Sequence, residues 1–125
     1  MSTDGDLDAR PDGLLAWQWN LYPRGHTTRA NLLIHALTVP LFLGGTLALL
    51  ASPVLGVAAG VGGVVGMGLA VGAQGRGHRR EKEPPVPFRG PLDVAARLFV
   101  EQWITFPRFV LSGAFRRAWR GAGAA

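Results

Sequence analysis

The stretch ANLLIHALTVPLFLGGTLALLASPVLGVAAGVGGVVGMGLAVGAQG, residues 30–75, runs for 46 residues without an Asp, Glu, Lys or Arg. About 20 apolar residues cross the hydrocarbon core of a bilayer, so this run is long enough to cross twice. Ala51, Ser52 and Pro53 form a turn signal near its middle. The pattern predicts an all-α membrane protein built on a two-helix transmembrane hairpin, with helices over about 28–50 and 54–75. Thr27 or Thr28 supplies the first cap, and Pro40 kinks the first helix.

A hairpin returns its two ends to one membrane face. The chain has three histidines. His26 and His35 stand at the hairpin's entrance and His78 just past its exit, so topology brings all three together. Asn31 and His35 are four apart, as are Gln74 and His78, and Glu81 follows three later; each set shares a helix face. His35 lies about 9 Å along the axis from Arg29, inside the membrane boundary, where an ionisable side chain points to function.

Composition narrows the alternatives. One domain fits 125 residues. The absence of Cys excludes disulfides and thiolate metal sites. The formal charge of +5 comes from arginines flanking apolar segments, the arrangement of cytoplasmic membrane flanks rather than of a nucleic-acid surface. No nucleic-acid partner is expected. Arg10, Arg24 and Arg29 precede the hairpin and Arg76, Arg79, Arg80, Lys82 and Arg89 follow it, while its tip is uncharged. Both ends are therefore expected in the cytoplasm, in a bacterial-type inner membrane.

Outward from the hairpin, residues 1–12 read as a disordered polar tail without the features of a signal peptide. Residues 13–120 form the membrane domain. Leu14, Trp17, Trp19 and Tyr22 mark an N-terminal interfacial helix. Residues 76–91 are a polar, proline-rich cytoplasmic loop. Residues 92–119 read as a kinked amphipathic or re-entrant helical segment, interrupted at Pro107. In it Asp93, Arg97 and Glu101 form a charged stripe. The glycines of 54–75 form three small-xxx-small pairs, a surface for close helix packing or for homo-oligomers.

Three histidines and a carboxylate suit iron, zinc or a similar divalent ion. Asn31 and Gln74 are candidates to orient the imidazoles. Arg29, Arg76, Arg79 and Arg80 are candidates to hold an anionic head group.

These residues resemble a known family. His26-x4-Asn31-x3-His35 with Pro40 after it, and Gln74-x2-Gly77-His78-x2-Glu81 with prolines after it, look like the two motifs of the membrane 2-hydroxy fatty acid dioxygenases of the yeast Mpo type. The resemblance covers residues 17–92. It implies an Fe(II)-dependent oxygenase of α-oxidation, which takes one carbon from a long-chain 2-hydroxy fatty acid using O2 amid membrane lipid. By position, His26, His35 and His78 carry over as iron ligands. Glu81 carries over as a ligand or a neighbouring carboxylate. Asn31, Gln74 and Glu81 are the candidate catalytic residues of the site. Two features depart from the family. Thr38 stands where it often has Gly, and the third segment lacks a fourth His, which leaves that position to Glu81, Glu83 or water.

Other readings stay open. Ligand types alone do not separate iron from zinc, nor oxidation from hydrolysis. A non-catalytic membrane protein could use the same hairpin and basic flanks to bind lipid or a partner. A channel would need a polar path, and between Leu41 and Val71 only Thr46 and Ser52 are polar.

Overall fold

The computed structural model describes residues 7–122. The expected tail's residues 1–6 lie outside the described residues. Every regular element among those described is helical. α1 spans Leu14–Leu21 and passes into a 3₁₀ turn, Tyr22–Gly25. α2 spans Arg29–Leu55 and α3 Val57–His78. α4 (Pro91–Val100) continues through a π-helical turn, Glu101–Thr105, into α5 (Phe106–Leu111). α6 spans Ala114–Gly121.

Helices α2 and α3 are each long and apolar enough to cross a membrane. Thr28 caps α2, its Oγ1 accepting from the Asn31 amide at 3.2 Å. The turn expected at 51–53 lies later. Pro53 has no amide to give the Leu49 carbonyl, but Ser52 Oγ donates to that carbonyl at 2.7 Å, so the helix continues to Leu55. The chain reverses at Gly56, whose φ of 103° favours glycine. The second long helix also outruns its expected end at Gly75 and closes at His78.

The two long helices pack with their backbones nearly touching. A Cβ on Gly45 would lie 2.6 Å from the Gly63 carbonyl oxygen, and one on Gly63 would strike the Gly45 carbonyl. Small residues permit this approach. The packing face of α3 is Gly63, Gly66, Ala70, Gln74 and Gly77. Of the glycines in the expected small-xxx-small pairs, Gly62, Gly68 and Gly72 instead face open space.

The remaining helices gather at the end of this pair that carries Arg29 and His78. Tyr22, Leu32, Val39, Phe106 and Phe109 form the buried core there, with Phe115 and Trp119 packed on it. Residues 7–12, assigned to the tail by the sequence, pack on α1 and α4. Arg10 Nη1 donates to Asp93 Oδ1 at 2.6 Å, and Trp17 Nε1 donates to the Leu7 carbonyl at 2.7 Å. The guanidinium groups of Arg10 and Arg97 both lie over the Trp17 ring, 4.1 and 4.9 Å from its centroid.

Candidate metal centre

His26 follows the 3₁₀ turn and stacks on Tyr22, with ring centroids 3.8 Å apart. Its Nδ1 is 2.8 Å from the Tyr22 carbonyl oxygen. His35, one helical turn after Asn31, holds its Nδ1 3.0 Å from the Asn31 carbonyl oxygen. A carbonyl only accepts, so each Nδ1 must carry the proton and donate. That fixes both tautomers and leaves a lone pair on each Nε2. The two Nε2 atoms are 3.3 Å apart.

His78 closes the group from the end of α3, its ring edge-on to those of His26 and His35 at 4.8 and 5.1 Å. Its Nδ1 is buried and without a hydrogen-bond partner. The fourth member is Glu101, whose Oε1 is 3.3 Å from His35 Nε2. One ligand atom from each of these four residues lies within 4.8 Å of the others. His35 is fully buried and His26 nearly so.

Facing lone pairs repel unless a positive centre sits between them. A divalent cation bound by three imidazoles and a carboxylate satisfies this geometry, and so does a single proton shared with Glu101. Burial, and then the neighbouring His35 and His78, hold the His26 imidazole well below its ordinary pKa. The ring is therefore neutral at pH 7, the form that ligates.

Glu81, expected as a ligand, is placed elsewhere. Its carboxylate accepts from the Thr27 and Thr28 amides at 2.9 and 3.0 Å, from both threonine hydroxyls, and from Asn31 Nδ2 at 3.0 Å. The exposed N–H groups at a helix N-terminus attract an anion, and the end of α3 delivers one. Burial raises the Glu81 pKa, but the bonds from Thr27, Thr28 and Asn31 outweigh it and hold the carboxyl below its usual range.

Nor do the Asn31 and Gln74 side chains meet the imidazoles. The Asn31 amide bonds Glu81 and the Gly25 carbonyl; its main-chain carbonyl is what orients His35. Gln74 forms a reciprocal pair with Gln102, at 3.0 and 2.7 Å, and donates to Thr38 Oγ1 at 3.0 Å. Thr38, the departure from the family pattern, thus completes the hydrogen bonding of a buried amide.

A cavity of about 640 Å³ opens beside the cluster, within the usual size of small-molecule sites. His26, His78 and Glu101 line it, with Leu21, Val71 and Leu98 as apolar wall. Of the expected head-group arginines only Arg79 lines it, joined by Lys82. Arg29 is spent on Trp119: its Nε donates to the carbonyl at 3.2 Å and its guanidinium lies over the ring. Arg76 and Arg80 are exposed and do not line the cavity.

Sequence reading missed Glu101, Gln102 and Lys82. Glu101 and Gln102 stand between Leu98-Phe99-Val100 and Trp103-Ile104, and two adjacent polar residues in such a run are a functional signal at membrane depth. Compared with known families, curated proteins and solved structures, the chain matches none. Its likeness to the Mpo-type oxygenases rests on the two motifs alone.

Proposed function

We propose that this protein is a membrane-embedded Fe(II)-dependent oxygenase that shortens 2-hydroxy fatty acids by one carbon with O2. The observation that supports it best is the convergence of His26, His35, His78 and Glu101 on one point at the wall of a largely apolar cavity that Arg79 and Lys82 also line. α2 and α3 form a transmembrane hairpin with both ends cytoplasmic, because its flanks carry the arginines and its tip carries none.

The three histidines and Glu101 hold the metal, which when bound supplies the redox chemistry with O2. The Tyr22 and Asn31 carbonyls keep Nε2 of His26 and His35 free of protons and aimed inward. Gln102, paired with Gln74, stands beside Glu101 and keeps the neighbouring polar layer satisfied. Arg79 and Lys82 hold the substrate carboxylate at the mouth, which puts the adjacent C2 near His78. Overall the C1–C2 bond breaks and the acid loses four electrons to O2. A one-carbon-shorter acid, CO2 and water balance the reaction.

Metal content of the detergent-solubilised protein, purified without oxygen, tests the reading. About one iron per chain is expected in the wild type and none in His26→Ala/His35→Ala; conversion of 2-hydroxypalmitate then follows. Zinc in that place moves the reading to metal-dependent hydrolysis. Metal-free protein with normal folding overturns it.

The 3.3 Å contact of His35 with Glu101 is also that of an ion pair. It favours, as the second reading, a non-catalytic lipid- or partner-binding protein whose cluster is held by a proton.

A further inference from the structure

Helix α3 carries two working faces. The first, through Gly63, Gly66, Ala70, Gln74 and Gly77, packs on α2. The second follows one residue behind, through Val71, Gly75 and His78 at i, i+4 and i+7, and lines the cavity. Leu98 and Glu101 form the opposite wall. The cavity lies between these walls, and the reciprocal pair of Gln74 with Gln102 bridges the two elements beside it.

The cavity is polarised along its length. Arg79 and Lys82 stand at one end, exposed and without an ion-pair partner among the described residues, whereas nearby Arg24 pairs with Glu83 at 3.2 Å. Val71 stands at the other end, about 12 Å away along the axis of α3. The ligand cluster lies next to the basic end, through His78. Gly75 sits between His78 and Val71, and a Cβ there would meet nothing within 4 Å. The passage from the cluster to the apolar end therefore runs over bare backbone.

We infer that Gly75 is the chain-length gate of this site: a single-chain fatty acid binds with its carboxylate at Arg79 and Lys82, and its tail passes over Gly75 between α3 and α4. This rests on the oxygenase reading for its substrate but not on bound metal. The glycine serves here by what it leaves empty. Its φ is ordinary for a helix, so no backbone strain demands it; a methyl group there has room, whereas a side chain the size of leucine would fill the passage from within.

The test is photolabelling of the full chain in lipid nanodiscs with a palmitic acid carrying a mid-chain diazirine. Labelled peptides are mapped by mass spectrometry, with metal content and helicity measured on each sample. In the wild type the label falls on 71–78 and 91–101, and palmitate competes while its methyl ester does not. Gly75→Leu lowers this labelling about tenfold or more, and Gly75→Ala leaves it nearly unchanged. Leu98→Trp closes the passage from the other wall and decides the matter if Gly75→Leu does not fold.

Unchanged labelling in both folded closing variants overturns the gate. So does a label confined to the outer face of α2, or equal competition by the ester or by a lysophospholipid in the wild type. Absence of iron from every sample, with labelling still lost in Gly75→Leu, sinks the oxygenase reading and leaves the gate standing.

Discussion

His26 and His35 turn their Nε2 atoms toward each other across 3.3 Å, and each ring spends its other nitrogen on a main-chain carbonyl. The backbone thereby commits both lone pairs to one point. On the metal-site reading proposed above, a bound cation would relieve their repulsion and so couple metal binding to the fold. At 100 times its Kd a ligand of the native state stabilises by about 2.7 kcal/mol. Adding Fe(II) to chelated protein without oxygen is expected to raise Tm by several degrees, and to leave His35→Ala unmoved. A melt insensitive to metal in the wild type removes the coupling.

Glu81 ties the end of α3 to the start of α2 through five accepted hydrogen bonds. Glu81→Gln removes the charge and turns half of the acceptor into a donor. A loss of about 1–3 kcal/mol is expected, with metal stoichiometry retained in the folded protein. Thermal melts beside metal analysis check this. Full stability with lost metal returns Glu81 to the ligand set.

Gly75 and Gly77 are two residues apart and predict opposite outcomes. A Cβ at Gly77 collides with Asn31 Oδ1, while one at Gly75 meets open space. Gly77→Ala should cost about 1–3 kcal/mol by forcing α2 and α3 apart. Gly75→Ala should be neutral or stabilise by up to about 1 kcal/mol, since alanine favours the helix. Paired melts of the two variants decide it, and equal effects contradict the packing.

Asp93 accepts from Arg10, and that bond, with help from the Arg89 amide, holds its carboxyl well below the usual 3.8. Its folded pKa is depressed, so its contribution is present above about pH 4 and fades as pH falls through that range toward the folded value. Asp93→Asn should lower Tm at pH 7 and flatten the fall of Tm below pH 5. A pH profile parallel to the wild type's contradicts this. The same variant should loosen residues 7–12, read as faster exchange of the Trp17 indole N–H bonded to Leu7.

Much of this was legible in the sequence. The charge-free run gave the two long helices, and their apposition brought His26, His35 and His78 together. The polar partners were not legible. Glu81, at helical spacing from His78, pointed to the metal, but the chain leaves the helix at Arg79 and turns the carboxylate to the Thr27 and Thr28 amides. Gln74 is four residues from His78, yet it faces Gln102, because a buried amide needs a partner with both donor and acceptor. Glu101 was read on a surface stripe with Asp93 and Arg97. Those two do pair with each other at 3.6 Å, but Glu101 begins the π turn and points inward.

That turn carries a consequence of phase. The Phe106 amide bonds to the Glu101 carbonyl five residues back, so 101–105 holds one residue more than an α-helix needs. Everything after it is rotated by about 100° relative to an uninterrupted helix. The rotation lets Glu101 reach His35 while Phe106 and Phe109 still enter the core. Deleting a single residue from this turn would leave composition and hydropathy almost untouched. It would set the two halves of the segment in step, and the chain could then seat either its carboxylate or its aromatics, but not both.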